Sequence, residues 1–471
     1  MRRTKIVATV GPATREKVAM RELLAAGADL LRFNAAHAAP PEFVAGAARA
    51  RELATTLNRA VGILIDLPGP KVRTLRIEGD EVELETGGHF VLTGDDAPGD
   101  ARRVGTSVPD LATRVRVGDE VFLADGAIVL RIDRISRGDI HCRIVRGGVL
   151  RSGKGMHAPH AEGTLESFTD ADALALAAAV RIKAECIGVS FVRQSDDIER
   201  VRDRLPKRGA RPLLVAKIET SSALDHLVDI VRAADAVMVA RGDLGIQVPI
   251  RRVPLIQKEI IRCCNASGTP VITATQMLES MTRSSLPTRA EVSDVANAVI
   301  DGTDALMLSE ETAVGTHVVE AVRTMIEVAE EAERWPAVRV VPTVGDIPQD
   351  EGAWAIAHAA VEAAEDLAVR AILCPTQTGA TARRIAAFRP SMPIIAASPH
   401  ATVLGQLTLL RGVRPLDVPV EAGAEDQDGF RAALGAARAQ RLLRRGDAVV
   451  VVSAAAGSPA GRTEVVRIAR A

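Results

Sequence analysis

Residues 212–243 read PLLVAKIETSSALDHLVDIVRAADAVMVARGD, and the reading of this stretch decides the fold. Pro212–Glu219 and Ala236–Arg241 are nearly continuous apolar runs, the pattern of strands buried on both faces. Between them, Ser221–Ala233 spaces its apolar residues as a helix does. Working outward, similar strands are expected at Lys5–Val10, Asp29–Asn34, Gly62–Asp66, Cys186–Val192, Pro270–Thr275 and Ala305–Ser309. Helical patterns at Val18–Ala26, Asp196–Arg204, Val253–Ala266 and Val318–Arg334 lie between or after them. Eight strands alternating with helices indicate an α/β chain of the (β/α)8 TIM-barrel class, with a doubly wound sheet as the competing arrangement.

The alternation breaks once. From Lys71 to Gly163 the chain carries short strands (Glu81–Leu84, Val121–Leu123, Ile128–Ile132, Ile140–Val145) among Gly and Asp turns, with little helix. This reads as a small all-β lid domain, residues 71–163, inserted after the third barrel strand. The barrel then comprises residues 1–70 and 164–335. After Trp335-Pro336 the pattern restarts with a helix at Ala353–Asp366, a strand at Ala371–Cys374, a helix at Ala380–Phe388 and strands at Pro393–Ala397 and Ala448–Ser453. Residues 336–471 are therefore expected to form a separate α/β regulatory domain.

Composition narrows the function. The 471 residues are 47% hydrophobic and carry a formal charge of −1, so no basic field exists to hold nucleic acid or an anionic membrane. Aromatics make up 2% with no Tyr, which argues against a stacking platform for single strands. The five cysteines (Cys142, Cys186, Cys263, Cys264, Cys374) form no CxxC and fit a reducing compartment. Apolar runs such as Ala448–Val452 fall short of the ~18 residues of a membrane span. No signal-peptide core follows the two N-terminal arginines, and a cytoplasmic protein is expected. The chain has eight lysines against 51 arginines, so a retained Lys marks a place where an ammonium is needed and a guanidinium will not serve.

In a barrel, chemistry sits at the carboxyl ends of the strands. There the sequence places Thr9, Arg32, Asn34, His37, Asp66, Lys217, Glu219, Arg241, Asp243, Thr275, Gln276, Ser309 and Glu311. Any one of these could be polar because it meets solvent. Together they are chemically organised. Glu219 and Asp243 are oxygen ligands suited to Mg2+. Lys217 lies two residues before Glu219 and faces the same way, and Arg32 adds a second cation. A metal with Lys and Arg around one cavity is what a transferring phosphoryl group requires. Arg241-Gly242-Asp243-Leu244-Gly245 offers backbone N–H groups at a turn or helix start, a seat for a carboxylate.

These residues resemble the pyruvate kinase family over essentially the whole chain. RRTKIVATVGPAT (2–14) is similar to its opening signature; KIET (217–220), VMVARGDLG (237–245) and the segment from Pro270 to Ser309 resemble its central ones almost letter for letter. The resemblance implies transfer of the phosphoryl group of phosphoenolpyruvate to ADP. It implies Glu219 and Asp243 as divalent-metal ligands, for Mg2+ or Mn2+, and Lys217 and Arg32 as cations on the phosphoryl group. Backbone groups of Gly242 and Asp243 would hold the substrate carboxylate, and Thr275 would orient a proton relay to the enolate. Asn34, His37, Arg73 and Lys154 match nucleotide-side positions, and Asp125-Gly126 resembles a turn of the lid. Closing that lid would exclude water. In the last domain, Thr376, Thr378, Gly379 and Thr381 match a loop that the family uses for sugar-phosphate or nucleotide effectors such as AMP; the plain alternative is an N-capping turn. A homotetramer is implied by the same resemblance.

The chain departs from the family at its monovalent-cation site. The usual RxNFSHG reads Arg32-Phe33-Asn34-Ala35-Ala36-His37-Ala38, and LDTKGPE reads Ile65-Asp66-Leu67-Pro68-Gly69-Pro70-Lys71. Ala36 cannot ligate K+, and Lys71 stands where potassium-dependent members carry Glu. Of the original site, Asn34 and Asp66 remain, with Lys71 as a tethered replacement charge, so K+ is expected not to be required. Pro68 and Glu310 depart from the family pattern as well. Two other readings compete: a catalytically impaired regulatory paralogue that binds phosphate ligands, and a metal-dependent lyase acting on phosphoenolpyruvate or pyruvate.

Overall fold

A computed structural model describes residues 2–124, 126–207, 211–335, 340–343, 350–418, 426–454 and 463–471. Eight parallel strands close into a barrel: β1 (Lys5–Val10), β2 (Leu30–Asn34), β3 (Gly62–Asp66), β4 (Cys186–Val189), β5 (Leu213–Ile218), β6 (Ala236–Ala240), β7 (Val271–Ala274) and β8 (Ala305–Leu308). Around the ring each strand pairs with its sequence neighbour, and β8 returns to β1 through Lys5↔Ala305 and Ala8↔Leu308. The doubly wound alternative is thereby excluded. Nearly every strand residue is buried, as the unbroken apolar runs require. Val7, Leu30, Leu64, Val215, Met238, Ile272 and Met307 fill the barrel interior, so it is a packed core and not a pore.

The helices of the outer ring follow their local chemistry. Arg289–Asp301 starts with a reciprocal cap between Thr288 and Glu291 and ends at Gly302, whose φ of 101° suits glycine. The expected helix 221–233 is instead two, Ser221–Asp225 and Leu227–Ala233, parted at His226 (φ −115°, ψ 17°). Pro40–Thr56, Asp170–Arg181 and Arg289–Asp301 complete helical positions that the sequence reading did not name.

Between β3 and β4 the chain builds an all-β unit. Its seven-stranded sheet runs in the order Val72–Arg73, Gly155–His157, Glu120–Leu123, Ile128–Ser136, Asp139–Arg146, His89–Thr93, Arg103–Gly105. The chain enters through Val72–Arg73 and leaves through Gly155–His157, and these two short strands pair antiparallel. The C-terminal unit is a five-stranded sheet in the order Val413–Asp417, Ile394–Ser398, Ala371–Pro375, Ala448–Ser453, Val465–Arg470, antiparallel only at the last pair. It is tied to the amino-terminal end of the barrel by the Lys5 ammonium, which donates to the Val413 carbonyl at 2.7 Å, and by the Arg389–Asp304 ion pair at 3.2 Å. The catalytic face is thus left to the lid.

Candidate active site

The carboxyl ends of β2, β3 and β5 deliver a buried charge cluster. Strand register sets Asn34 beside Asp66 and Thr9 beside Arg32. Asp66 is fully buried. Its Oδ2 accepts from Arg32 Nε (2.8 Å) and Nη2 (2.6 Å), and its Oδ1 lies 3.0 Å from Lys217 Nζ. A Cβ on Gly188 would come within 2.8 Å of that Oδ1, so glycine on β4 makes the room. Lys217 Nζ also lies 2.8 Å from Glu219 Oε1 and donates to Ser190 Oγ at 2.7 Å, while Ser190 in turn donates to the Leu67 carbonyl. Glu219 Oε2 accepts from the Phe191 N–H at 2.7 Å. The Lys217 ammonium thus makes one hydrogen bond, to Ser190, and two ion pairs, with Asp66 and Glu219.

Burial and charge act against each other here, and the outcome differs from group to group. Burial alone would lower the Lys217 pKa, but Asp66 and Glu219 raise it above the ordinary lysine value, so the ammonium is fixed as a cation. Burial pushes Asp66 up, and Lys217 with Arg32 more than reverses it. Glu219 is the exception: burial and the nearby Asp243 charge raise it despite Lys217. Asp243 is held below the usual carboxylate range because Lys71, His157 and Lys217 outweigh its burial.

The strand ends of β6 and β7 make the second half of the site. Arg241 opens the helix Arg241–Gln247 but turns inward. Its guanidinium pairs with Asp294 at 2.6 Å and donates to the Ala274 and Thr275 carbonyls at 3.2 and 2.6 Å. It is a buried brace for the turn after β7, where Thr275 and Gln276 both hold positive φ (68° and 52°). Such a conformation in a β-branched residue costs of order 1–3 kcal/mol and persists only where the surroundings impose it. Thr275 Oγ1 accepts from the Gly242 N–H at 2.8 Å and donates to the Ala274 carbonyl at 2.6 Å. The Gly242 N–H expected to face a substrate carboxylate is thus held by Thr275 in this structure.

Glu219 and Asp243 lie close enough for each charge to act on the other, and both offer carboxylate oxygen. One or two carboxylates, with substrate phosphate and water completing the shell, is the usual protein provision for Mg2+. The residues present fit such an ion. The Lys71 ammonium donates to Asp243 Oδ1 at 3.2 Å. Asp66 itself carries Arg32 and Lys217. Asn34 Oδ1 accepts from the Ala36 N–H at 3.1 Å.

On the lid edge, Arg73 pairs with Gly155 across the entry and exit strands, so Lys154 is its close neighbour. Arg73 donates to the Gly153 carbonyl, and Lys154 is exposed. His37 is exposed just beyond β2. Asp125 lies outside the described residues, as does Pro336. In the C-terminal loop, Thr376 Oγ1 accepts from the Gly379 N–H and Thr378 Oγ1 from the Ala380 N–H, while Thr381 bonds Thr463 at 2.8 Å. The helix Ala380–Ala387 follows with Gly379 at its N-cap in the left-handed region (φ 80°) and without a side-chain cap.

Sequence reasoning missed Ser190, His157 and Asp294. Ser190 follows β4, the one strand end left unread, and the rule applied to the others would have found it. His157 lies 3.4 Å from Asp243 Oδ1, but it belongs to the lid's exit strand, and only the tertiary pairing brings it there. Asp294 sits within the DVANAVIDGTD segment without a signal of its own.

The family description "Pyruvate kinase, barrel domain" matches residues 1–322, and "Pyruvate kinase, alpha/beta domain" matches residues 354–469. Pyruvate kinase 2 of Synechocystis sp. is 39% identical over 99% of this chain and 79% of its own length. The pyruvate kinase of Thermococcus litoralis is 37% identical over 98% of this chain and 96% of its own. That of Methylorubrum extorquens is 39% identical over 99% and 97%. Among the described residues, no helix is long and apolar enough to cross a membrane.

Proposed function

Given that the chain belongs to the pyruvate kinase family, we propose that it moves the phosphoryl group of phosphoenolpyruvate to ADP, yielding pyruvate and ATP, with Mg2+ or Mn2+ on Glu219 and Asp243 and without K+. The observation that carries the reading is Lys217: a buried ammonium kept charged by Asp66 and Glu219 at the mouth of the barrel. Phosphoryl transfer is catalysed almost entirely by positioning and by fixed positive charge. Arg32, anchored on Asp66 through Nε and Nη2, keeps its Nη1 on Thr9 at 3.1 Å and supplies a second cation beside the first.

To serve a phosphoryl oxygen, Lys217 must exchange one of its three partners. Ser190 is the neutral one and the least costly to give up. A bound divalent cation would supply charge at Glu219 and Asp243. Thr275, aimed by its strained backbone and bonded to Gly242, is placed to orient the proton that converts enolate to pyruvate. Arg73 and Lys154 on the lid edge, with Asn34 and His37 on the barrel side, would receive the nucleotide, and lid closure would keep water from the phosphoryl group. Lys71, on Asp243, brings a tethered positive charge to the same mouth, and this supports turnover without K+. The loop at Thr376, Thr378, Gly379 and Thr381 is assigned to a sugar-phosphate or AMP effector, and the assembly to a homotetramer, on family grounds.

The test is stoichiometric. With phosphoenolpyruvate, Mg2+ and limiting ADP, pyruvate should stop accumulating when it equals the ADP supplied, with equal ATP seen by phosphorus NMR. Pyruvate formed without nucleotide would move the assignment to a lyase; no pyruvate under any condition would move it to a regulatory paralogue.

A further inference from the structure

The lid's two connecting strands converge on one oxygen of the site. Met156 pairs with Val72, so the next step of the antiparallel register sets His157 across from Lys71. Both side chains reach Asp243 Oδ1, Lys71 Nζ at 3.2 Å and His157 Nε2 at 3.4 Å. The imidazole is 1% exposed and sits with its ring 6.4 Å, centroid to centroid, from the ring of Phe191. Phe191 is the residue whose N–H holds Glu219 Oε2. One buried ring therefore abuts Asp243 directly and Glu219 through the residue that fixes it. The segment beside it has little freedom: a Cβ on Gly69 would come within 2.8 Å of both Phe191 Cδ2 and Ser190 Cβ.

We propose that His157, a lid residue, is a positioning residue that orients the Asp243 carboxylate for the divalent cation and ties that carboxylate to the connecting strands of the lid. The inference rests on the reading that Glu219 and Asp243 hold the ion. Lys71 supplies charge on a flexible stem, which attracts the carboxylate without fixing its angle. The imidazole is rigid and enclosed, and its Nε2 lies against the carboxylate at 3.4 Å, an ion-pair contact that limits the angles open to Asp243. Neighbours that orient a metal-ligating carboxylate commonly contribute 10- to 100-fold to metal affinity.

The experiment titrates the full-length chain with Mn2+ and follows the electron paramagnetic resonance of the free aquo ion. His157→Ala should raise the Mn2+ dissociation constant about tenfold or more. His157→Gln, whose amide nitrogen can take the place of Nε2, should stay within about threefold of the parent. The metal concentration for half-maximal turnover should follow the same order, with a smaller change in turnover at saturating metal. Unaltered Mn2+ affinity in His157→Ala would overturn the proposal. So would equal weakening in the Ala and Gln variants, which would mark a packing role. Glu219→Gln is the control: if it binds Mn2+ like the parent, the carboxylate pair is not the metal site, and that failure is distinct from a failure at His157.

Discussion

Replacing Lys217 by Met removes the one ammonium that touches Asp66, Glu219 and Ser190 at 2.7–3.0 Å. A phosphoryl oxygen at the same contact distance would feel a unit charge worth about 6 kcal/mol at an effective dielectric near 20. Only the part of that interaction that grows between ground and transition state accelerates the reaction. Taking from about half to nearly all of it gives a loss of about 10²- to 10⁴-fold in turnover. Metal binding should follow the opposite course. Without Lys217, Glu219 keeps the Phe191 N–H on its Oε2, and its charge loses the ammonium that was balancing it. An uncompensated buried carboxylate costs about 3–5 kcal/mol, which a bound divalent cation would offset. The variant should therefore melt lower than the parent without metal and regain more on adding Mn2+, because it binds the ion more tightly than the parent does. Lys217→Arg should not rescue turnover, because a planar fork cannot meet three partners arranged around one nitrogen. The assays are pyruvate release from phosphoenolpyruvate and ADP, and thermal melting with and without Mn2+. Turnover of the Met variant within tenfold of the parent would refute the role given to Lys217.

Thr275→Val, which keeps the shape and removes the hydroxyl, should lower turnover about 10²-fold with a small change in the phosphoenolpyruvate KM, while Thr275→Ser should retain most activity; steady-state kinetics decides. At the other end of the barrel, burial, with Arg2, Arg414 and Arg59 around it, lowers Lys5 to about 8 against the ordinary 10.5. The folded chain thus sheds this proton before the unfolded chain does, so the penalty is full below pH 8 and fades as pH rises from 8 to 10.5. The stability of Lys5→Met relative to the parent should fall by about 3 kcal/mol between pH 7.5 and pH 10.5, as read from paired urea melts, whatever the loss of the Val413 bond costs at both pH values.

The barrel was legible because its strands are buried on both faces, and the unbroken runs at Leu213–Ile218 and Ala236–Ala240 can hardly be anything else. Val413–Asp417 and Val465–Arg470 were not, because Arg414, Pro415 and the half-exposed VVRIAR edge blur the strand signal. Lys217 and Glu219 could be read as partners from their spacing alone. The scarcity of lysine was a mixed guide. It pointed to Lys217 and Lys71, yet Lys17 and Lys258 make surface ion pairs with Glu52 and Asp301. The sequence reading assigned Lys71 the role of a tethered replacement cation; its ion pair with Asp243 joins residues far apart in the chain, which no linear pattern encodes. His157 lay beyond reach for the same reason, since it acts across an interface between lid and barrel.

The most direct test of the account is pyruvate formation from phosphoenolpyruvate and ADP with Mg2+, using tetramethylammonium as the only monovalent cation and then adding K+. The account predicts full turnover in tetramethylammonium, changed less than about twofold by K+, because Lys71 already brings a tethered cation to the site. Turnover that appears only with K+ would contradict it.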